Sequence, residues 1–289
     1  MRKRVVLTAR CQGKTMKLAC RTVPYVNYSF ERALEGIEAA GVRYVAFGNP
    51  NHNGEKVPNE EDPESVGKIR GLLDKYHLEP VMITGTYEFA IDLPMERAIR
   101  RLDTARELGV REVMSNGMKL SEGREVEQRN QFVEKFKRVA ELAAERDIIL
   151  TIKPHGSLTA THQMIGRLIE DIGFPNVRMT FDPANLRYYA DRDPLEGFAE
   201  MANITHSIVA KDHRGKKRES IYPIPGKGEV DFPALFGILH KAGFSGAVMT
   251  ELLNDPDYPT GTPEEIDVLV KHAVESVRRL LQEAGFQPG

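Results

Sequence analysis

The sequence has no tryptophan, only two cysteines and no long apolar run, and these gaps exclude several classes of protein. Cys11 and Cys20 are too few for a disulfide framework or a cysteine-rich zinc site, which fits a reducing, cytoplasmic location. No apolar run approaches the ~20 residues that a membrane span requires. The run Val5-Val6-Leu7 after the basic start is too short for a signal-peptide core. We therefore expect a protein that is neither secreted nor bound to a membrane.

Net charge is almost absent as well. The 289 residues carry 40 Lys plus Arg against 42 Asp plus Glu, so the formal net charge is −2. A general polyanion binder is basic, so we expect no nucleic-acid partner. A single domain of this length buries ~75% of the surface of its unfolded chain, so it needs no disulfides.

Short apolar runs alternate regularly with longer amphipathic stretches. Eight runs predict strands, at 17–21, 44–47, 81–83, 112–114, 148–152, 177–181, 206–210 and 247–250. Predicted helices follow them, at 29–40, 63–76, 93–108, 126–146, 161–172, 195–201, 232–242 and 263–284. Ser29 is the predicted N-cap of the first helix. Eight such units predict a single (β/α)8 TIM barrel over residues 17–289, preceded by an N-terminal extension over residues 1–16. The rival fold, a doubly wound sheet, usually has a glycine-rich loop after its first strand, and residues 21–24 offer none.

Ionisable side chains follow four successive predicted strands. They are Lys153, His155, Asp182, Lys211, His213 and Glu251. Any one of them alone fits a solvated loop residue or a helix cap. Because the chemistry of a TIM barrel lies at the C-terminal ends of its strands, the set as a whole predicts a functional site.

Two of these side chains are hard anionic metal ligands. Asp182 and Glu251 supply carboxylates, and His155 and His213 offer imidazole nitrogens, a combination that suits a divalent metal such as Mn, Mg, Zn or Co. We therefore expect a divalent metal cofactor. The alternatives to metal binding are that Asp182 only forms a turn and that His213 is solvated within its basic loop.

Other polar side chains near the same edge are candidate substrate-binding residues. They are Asn185, Tyr189, Lys211, Glu88 and His52. Tyr189 offers an aromatic face for sugar C–H groups, while Glu88 and His52 follow strands three and two. For Tyr189, packing within its loop is an equally good interpretation.

One stretch of the C-terminal third resembles a known family. It consists of Ala210-Lys211-Asp212, residues 225–232, Leu239, residues 243–246 and Thr250-Glu251. This pattern is similar to that of the xylose isomerase-like TIM-barrel superfamily, which includes sugar phosphate isomerases and epimerases. The resemblance implies a divalent metal held by Glu on strand five, Asp on strand six, His in strand seven and Glu on strand eight. In the family's epimerases the two Glu residues also act as opposed acid and base.

Two positions depart from that pattern. Lys153 stands where the strand-five Glu is expected, and Val209 stands where the strand-seven His is expected. Either Lys153 takes over the charge-neutralising role of the metal, or His155 and His213 restore a ligand set. Both alternatives stay open from the sequence.

The resemblance implies a sugar isomerase or epimerase that acts on a ketose, keto-sugar or sugar phosphate through an enediolate. Glu251 is the expected base, Lys153 or His155 the proton donor, and a metal or Lys153 the electrophile. The alternatives are a keto-sugar lyase or hydratase, and a non-catalytic sugar-binding barrel. The sequence leaves open whether the chain forms a homo-oligomer. An enzyme like endonuclease IV is disfavoured, because it needs a richer three-metal ligand set.

For a phosphorylated substrate, the candidate clamps are Lys227, Arg187 and Arg214. The run Gly226-Lys227-Gly228 is only a weak phosphate signal, because glycines there also shape the loop into the next helix.

Overall fold

The structure of the protein, a computed structural model, describes residues 15–48, 51–253, 255 and 257–289. Eight parallel strands in these residues form a closed barrel, which confirms the predicted (β/α)8 fold. Strands β1 to β8 are Thr15–Arg21, Tyr44–Phe47, Glu79–Thr84, Glu112–Ser115, Ile149–Ile152, Val177–Phe181, Thr205–Ala210 and Ala247–Thr250.

Helices on the outside of the barrel connect successive strands. The main helices, α1 to α8, are Phe30–Ala39, Ser65–Lys75, Met95–Glu107, Glu125–Ala144, His162–Ile172, Phe198–Met201, Phe232–Lys241 and Pro263–Glu283. Ser29 caps α1 as predicted, since its side chain accepts a hydrogen bond from the backbone N–H of Arg32. No helix in the described part of the chain is long and apolar enough to cross a membrane.

The first strand closes the barrel. Ala19 of β1 aligns with Tyr44 of β2 on one side and with Met249 of β8 on the other. All barrel pairings between neighbouring strands are parallel, so the C-terminal ends of the strands meet at one rim. Arg21 at the end of β1 and Glu251 after β8 therefore become neighbours although they are far apart in sequence.

Side chains alternate between the helix-facing side and the interior of the barrel. Leu150 and Ile152 of β5 pack in the outer core, whereas Thr151 between them hydrogen-bonds across the interior to Glu112 of β4. The same alternation directs the residue after Ile152, Lys153, toward the interior. The residues that directly follow β6, β7 and β8 point toward the interior for the same reason. Together these inward-facing side chains form the site.

The interior below the rim is filled by an apolar cluster and a polar group of side chains. Its apolar cluster consists of Ala19, Ala46, Met82, Met114, Val209, Ala247 and Met249. Beside it, Glu112 Oε1 accepts hydrogen bonds from the hydroxyls of Thr151, Thr180 and Ser207 at 2.8, 2.8 and 2.6 Å. The interior is thus a packed core rather than a pore.

The structure differs from the sequence prediction where elements are short. The sixth helix occupies only Phe198–Met201, and an unpredicted one-turn helix, Pro183–Asn185, follows β6. Such short pieces have too few residues to show a helical period. Most of the predicted extension over residues 1–16 lies outside the described residues. β1 itself begins at Thr15, two residues before the predicted start, and pairs there with Gln287–Pro288.

Candidate active site

Two buried ammonium groups and two buried carboxylates form a closed ring at the C-terminal rim of the barrel. Lys153 Nζ lies 3.1 Å from Asp182 Oδ2 and 3.5 Å from Glu251 Oε2. Lys211 Nζ lies 3.0 Å from the same Asp182 oxygen and 2.9 Å from Glu251 Oε1. None of the four side chains is more than 6% exposed. We call Lys153, Asp182, Lys211 and Glu251 the charge ring; each of its charges lies between two charges of opposite sign.

Arg21 and Asn185 complete the ring's surroundings. Arg21 forms an ion pair with Glu251, and its Nη2 donates a hydrogen bond to the Gly48 carbonyl at 3.1 Å. Asn185 Oδ1 accepts a hydrogen bond from Lys211 Nζ at 2.7 Å, and its backbone N–H donates to Asp182 Oδ1 at 3.0 Å. Arg21 is not among the site residues that the sequence predicts. Its position at the end of β1, with the same parity as the inward-facing Ala19, is the signal that identifies it.

Positive charge exceeds negative charge in this buried group. Burial lowers the pKa of Lys153 well below its usual value, and Arg21 and Lys211 add to the effect while Asp182 opposes it. Burial also lowers the pKa of Lys211 and brings that of Arg21 to about 10. Burial alone would raise the pKa of Asp182, but Lys211 and Lys153 outweigh it and the pKa is lowered. The site therefore favours ligands that bring negative charge or electron-rich oxygen atoms.

His155 and Tyr189 lie beside the ring, as the sequence predicts for pocket residues. His155 Nε2 is 3.3 Å from the Tyr189 hydroxyl, and the two ring centroids are 4.9 Å apart. His155 keeps exposed surface, but its imidazole is partly desolvated in this position. This burial, together with the charges of Lys153 and Lys211, lowers its pKa to about 4. The imidazole is therefore neutral at pH 7.

Glycine at position 156 allows Tyr189 to approach the end of β5. Gly156 has a φ of +81°, and a Cβ atom there would lie 2.8 Å from Tyr189 Cδ1. The Arg218 guanidinium lies 4.7 Å from the Tyr189 ring centroid. Tyr189 is thus held between a strand end and a cation at the mouth of the site.

The predicted metal-ligand set does not come together. His213 Nε2 is 2.7 Å from the Glu219 carbonyl oxygen, and its ring packs edge-on against Tyr188 and Tyr222 rather than against Asp182 or Glu251. Among the described residues, no group of three or more His, Cys, Asp or Glu side chains is arranged to hold a metal ion. The oxygens of Asp182 and Glu251 already contact ammonium and guanidinium groups. These residues do not fit a divalent metal.

Two predicted substrate-binding residues lie elsewhere. Glu88 Oε1 is 3.0 Å from Arg101 Nη2, in a buried ion-pair cluster against α3. His52 has both ring nitrogens engaged: Nδ1 is 3.3 Å from the Tyr25 carbonyl oxygen and Nε2 is 3.1 Å from Thr22 Oγ1. Glu88 is thus ion-paired to Arg101 and His52 is bonded to the loop after β1, so the structure places neither of them in the charge ring.

The glycine run after β7 serves Asp212 rather than a phosphate. The Asp212 carboxylate accepts hydrogen bonds from the backbone N–H groups of His213, Gly226, Gly228 and Val230 at 2.8, 2.8, 2.8 and 3.1 Å. These N–H groups are therefore already used. Arg187, a candidate phosphate clamp, forms an ion pair with Glu229.

Comparison with known proteins agrees with the fold. The model of the xylose isomerase-like TIM barrel family matches residues 34–272. The chain is 25% identical over 258 residues to the rhizopine catabolism protein MocC of Rhizobium meliloti, covering 78% of this chain and 77% of that protein. It is 26% identical over 139 residues to an inosose dehydratase of Clostridium perfringens, covering 43% of this chain and 46% of that enzyme. The match thus spans about half the length of the dehydratase.

Solved structures share the whole barrel. The IolI protein with a bound zinc atom superposes with a TM-score of 0.72 at 16% identity, covering 93% of this chain and 99% of that one. A D-allulose 3-epimerase from Methylomonas superposes with a TM-score of 0.69 at 17% identity, with coverage of 93% and 99%. The proteins that this chain is similar to thus include a carbohydrate epimerase and an inosose dehydratase. The chain belongs to the xylose isomerase-like TIM barrel family.

Proposed function

We propose that the protein removes a proton from the carbon next to the ketone of a carbohydrate, forms an enolate and returns a proton, as a sugar isomerase or epimerase does. The observation that carries this proposal is the charge ring, in which a carboxylate lies against two ammonium groups at the rim of the barrel. Enolisation needs this pairing of a base with cations that stabilise a developing oxyanion.

The charge ring stabilises the negative charge that moves from the base to the substrate in this step. When Glu251 takes the proton from carbon, one negative charge passes from its carboxylate to the substrate oxygen. Lys211 and Lys153 contact Glu251 at 2.9 and 3.5 Å, so a substrate oxygen bound to them remains beside the same cations. The positive charge need not move during the reaction, which is the advantage of a preorganised site.

Tyr189 is the proposed group for the other proton, with His155 beside it. His155 Nε2 and the Tyr189 hydroxyl oxygen lie 3.3 Å apart at the mouth of the site. The Tyr189 hydroxyl is placed to return a proton to the enolate, and the neutral His155 imidazole is placed to hold a sugar hydroxyl. Asn185 fixes Lys211 through its side-chain oxygen, so in this proposal it orients the cation that faces the substrate.

A keto-sugar dehydratase is the second candidate. The likeness to an inosose dehydratase favours it, and so does Lys153, which replaces the carboxylate that two-carboxylate epimerases of the family use. A dehydratase shares the first step, after which the enolate expels a hydroxide that receives a proton. The ammonium group of Lys153, whose pKa burial lowers, is the proposed donor of that proton.

Deuterium exchange from D₂O into a panel of ketoses, keto-inositols and sugar phosphates tests the proposal. We expect exchange at the carbon next to the ketone for at least one compound, and a loss of at least 100-fold in Glu251→Gln. The matched control Lys241→Gln removes an exposed charge at the end of α7 and should exchange like the wild type. Loss of one water from the product, seen by mass spectrometry, would assign the dehydratase.

Full exchange activity in Glu251→Gln would contradict the assignment of the base. A sugar that stabilises the protein against heat but never exchanges would instead support a binding barrel.

A further inference from the structure

We propose that the ammonium groups of Lys153 and Lys211 occupy the place of a divalent metal between Asp182 and Glu251, so that this site binds no divalent cation. The inference deepens the proposed function and rests on it for its chemical meaning: the enolate would be stabilised by side-chain cations alone.

The carboxylate oxygens of Asp182 and Glu251 already contact groups of the protein. Asp182 Oδ1 accepts from the Asn185 N–H at 3.0 Å, and Oδ2 contacts Lys153 and Lys211 at 3.1 and 3.0 Å. Glu251 Oε1 contacts Lys211 at 2.9 Å, and Oε2 contacts Lys153 and Arg21. A metal bonded to these oxygens at ~2.0–2.2 Å would have to displace the ammonium groups that now contact them.

The net charge of the site also opposes the binding of a divalent ion. With all groups ionised, Arg21, Lys153 and Lys211 already exceed Asp182 and Glu251 by one positive charge. A divalent ion would raise this excess to three in a site where the side chains are nearly inaccessible to water. Unpaired charge in such surroundings is strongly unfavourable, so binding of a divalent ion opposes the electrostatics of the site.

In addition, no imidazole compensates for the replaced ligands. Val209, at the position where the family pattern has His, is buried in the apolar interior cluster. His213 contacts the Glu219 carbonyl oxygen, and His155 packs against Tyr189. Neither histidine forms a hydrogen bond or ion pair with Asp182 or Glu251, so the alternative in which they restore the ligand set is not realised.

Lys211 shows how an ammonium group performs the task of the metal. Its Nζ contacts Asp182, Glu251 and Asn185 at 3.0, 2.9 and 2.7 Å, so it is fixed from three sides. A ketone or hydroxyl oxygen that enters the site exchanges with one of these acceptors, as a ligand exchanges at a metal. The cation therefore offers a positioned positive charge without an open coordination site.

Metal binding by the purified protein tests the inference without reference to activity. Untagged protein, prepared without chelator, is analysed for metals by mass spectrometry and titrated with Mn²⁺ and Zn²⁺ by calorimetry at pH 7.5. We expect less than 0.1 equivalent of metal and no site with a Kd below about 1 mM. Lys153→Glu, which restores the carboxylate of the family pattern, should gain one Mn²⁺ site with at least 10-fold tighter binding. Lys241→Glu makes the same charge change at an exposed position on α7 and should gain none.

One equivalent of metal in the wild type that disappears in Asp182→Asn would overturn the inference. So would a folded Lys153→Glu protein, by circular dichroism, that binds metal no better than Lys241→Glu. If Lys153→Glu does not fold, the wild-type titration alone decides. Metal-free protein that exchanges no substrate proton would contradict the proposed function and leave this inference standing. Active protein that holds one equivalent of metal would contradict this inference and leave the proposed function standing.

Discussion

At the scale of single residues, Lys211 holds the site together more than any sequence motif suggests. Its ammonium group joins two carboxylates and the Asn185 amide, and all of these partners are buried. Removal of one partner from a buried ion pair typically costs ~3–5 kcal/mol, because the remaining charges lose their compensation. Lys211 therefore contributes both to stability and to the electrostatics of the rim.

We expect Lys211→Met to lower the free energy of unfolding by about 3 kcal/mol, because buried oxygens of Asp182, Glu251 and Asn185 would each lose a charged donor. Urea denaturation followed by circular dichroism measures this. Lys241→Met, an exposed control, should change it by less than ~0.5 kcal/mol. Equal stabilities of the two variants would show that the ring is solvated rather than buried.

His155 provides a pH test at the same scale. Its pKa falls from 6.5 to about 4 in the folded protein, so the unfolded chain binds more protons between those values. Stability due to His155 is therefore complete above pH 6.5 and is lost as the pH falls toward 4. We expect Lys153 and Lys211 to penalise the imidazolium, so that wild type loses more stability than His155→Phe between pH 7.5 and pH 4.5. Urea midpoints at both pH values give the comparison, and a parallel decline in the two proteins would exclude this role.

The sequence predicts residue positions well where strand parity decides them. Lys153, Asp182, Lys211 and Glu251 follow four successive strands, and the structure brings these four together. The sequence does not show which way a loop turns its side chains. For that reason the sequence predicts Glu88, His52 and His213 at the site. In the structure these side chains instead have partners in nearby loops and helices.

At the scale of structural elements, the loop between β7 and α7 depends on one carboxylate. Asp212 gathers four backbone N–H groups, including those of Gly226 and Gly228. The Gly-Lys-Gly run is thus a folding signal for this loop, which a sequence alone does not distinguish from a phosphate loop. The loop also carries Tyr222, over whose ring Lys211 Nζ lies at 5.6 Å.

We expect Asp212→Ala to destabilise the protein by about 3 kcal/mol and to expose residues 213–231 to proteases, because buried N–H groups would lose a charged acceptor. Asp231→Ala is the matched control, since it removes a single cap hydrogen bond, to the N–H of Ala234, and should cost ~1 kcal/mol. Limited proteolysis with mass spectrometry locates the cuts. Cleavage at the same rate in both variants would argue that Asp212 does not organise the loop.

At the scale of the whole molecule, barrel closure creates contacts that no local pattern contains. Arg21 from the first strand meets Glu251 after the last, because β1 pairs with β8. Regular alternation of strands and helices was enough to predict the barrel. The sequence did not reveal that Arg21 completes the cation group, because that contact exists only after closure. A net charge of −2 thus conceals a positively charged site at the rim.

The most direct test of the account is deuterium exchange from D₂O into a keto-carbohydrate by protein that has been treated with chelator and shown to be metal-free. The account predicts exchange at an undiminished rate, at least 100-fold faster than with Glu251→Gln, and no increase when Mn²⁺ is added. Exchange that stops on chelation and returns only with Mn²⁺ would contradict it.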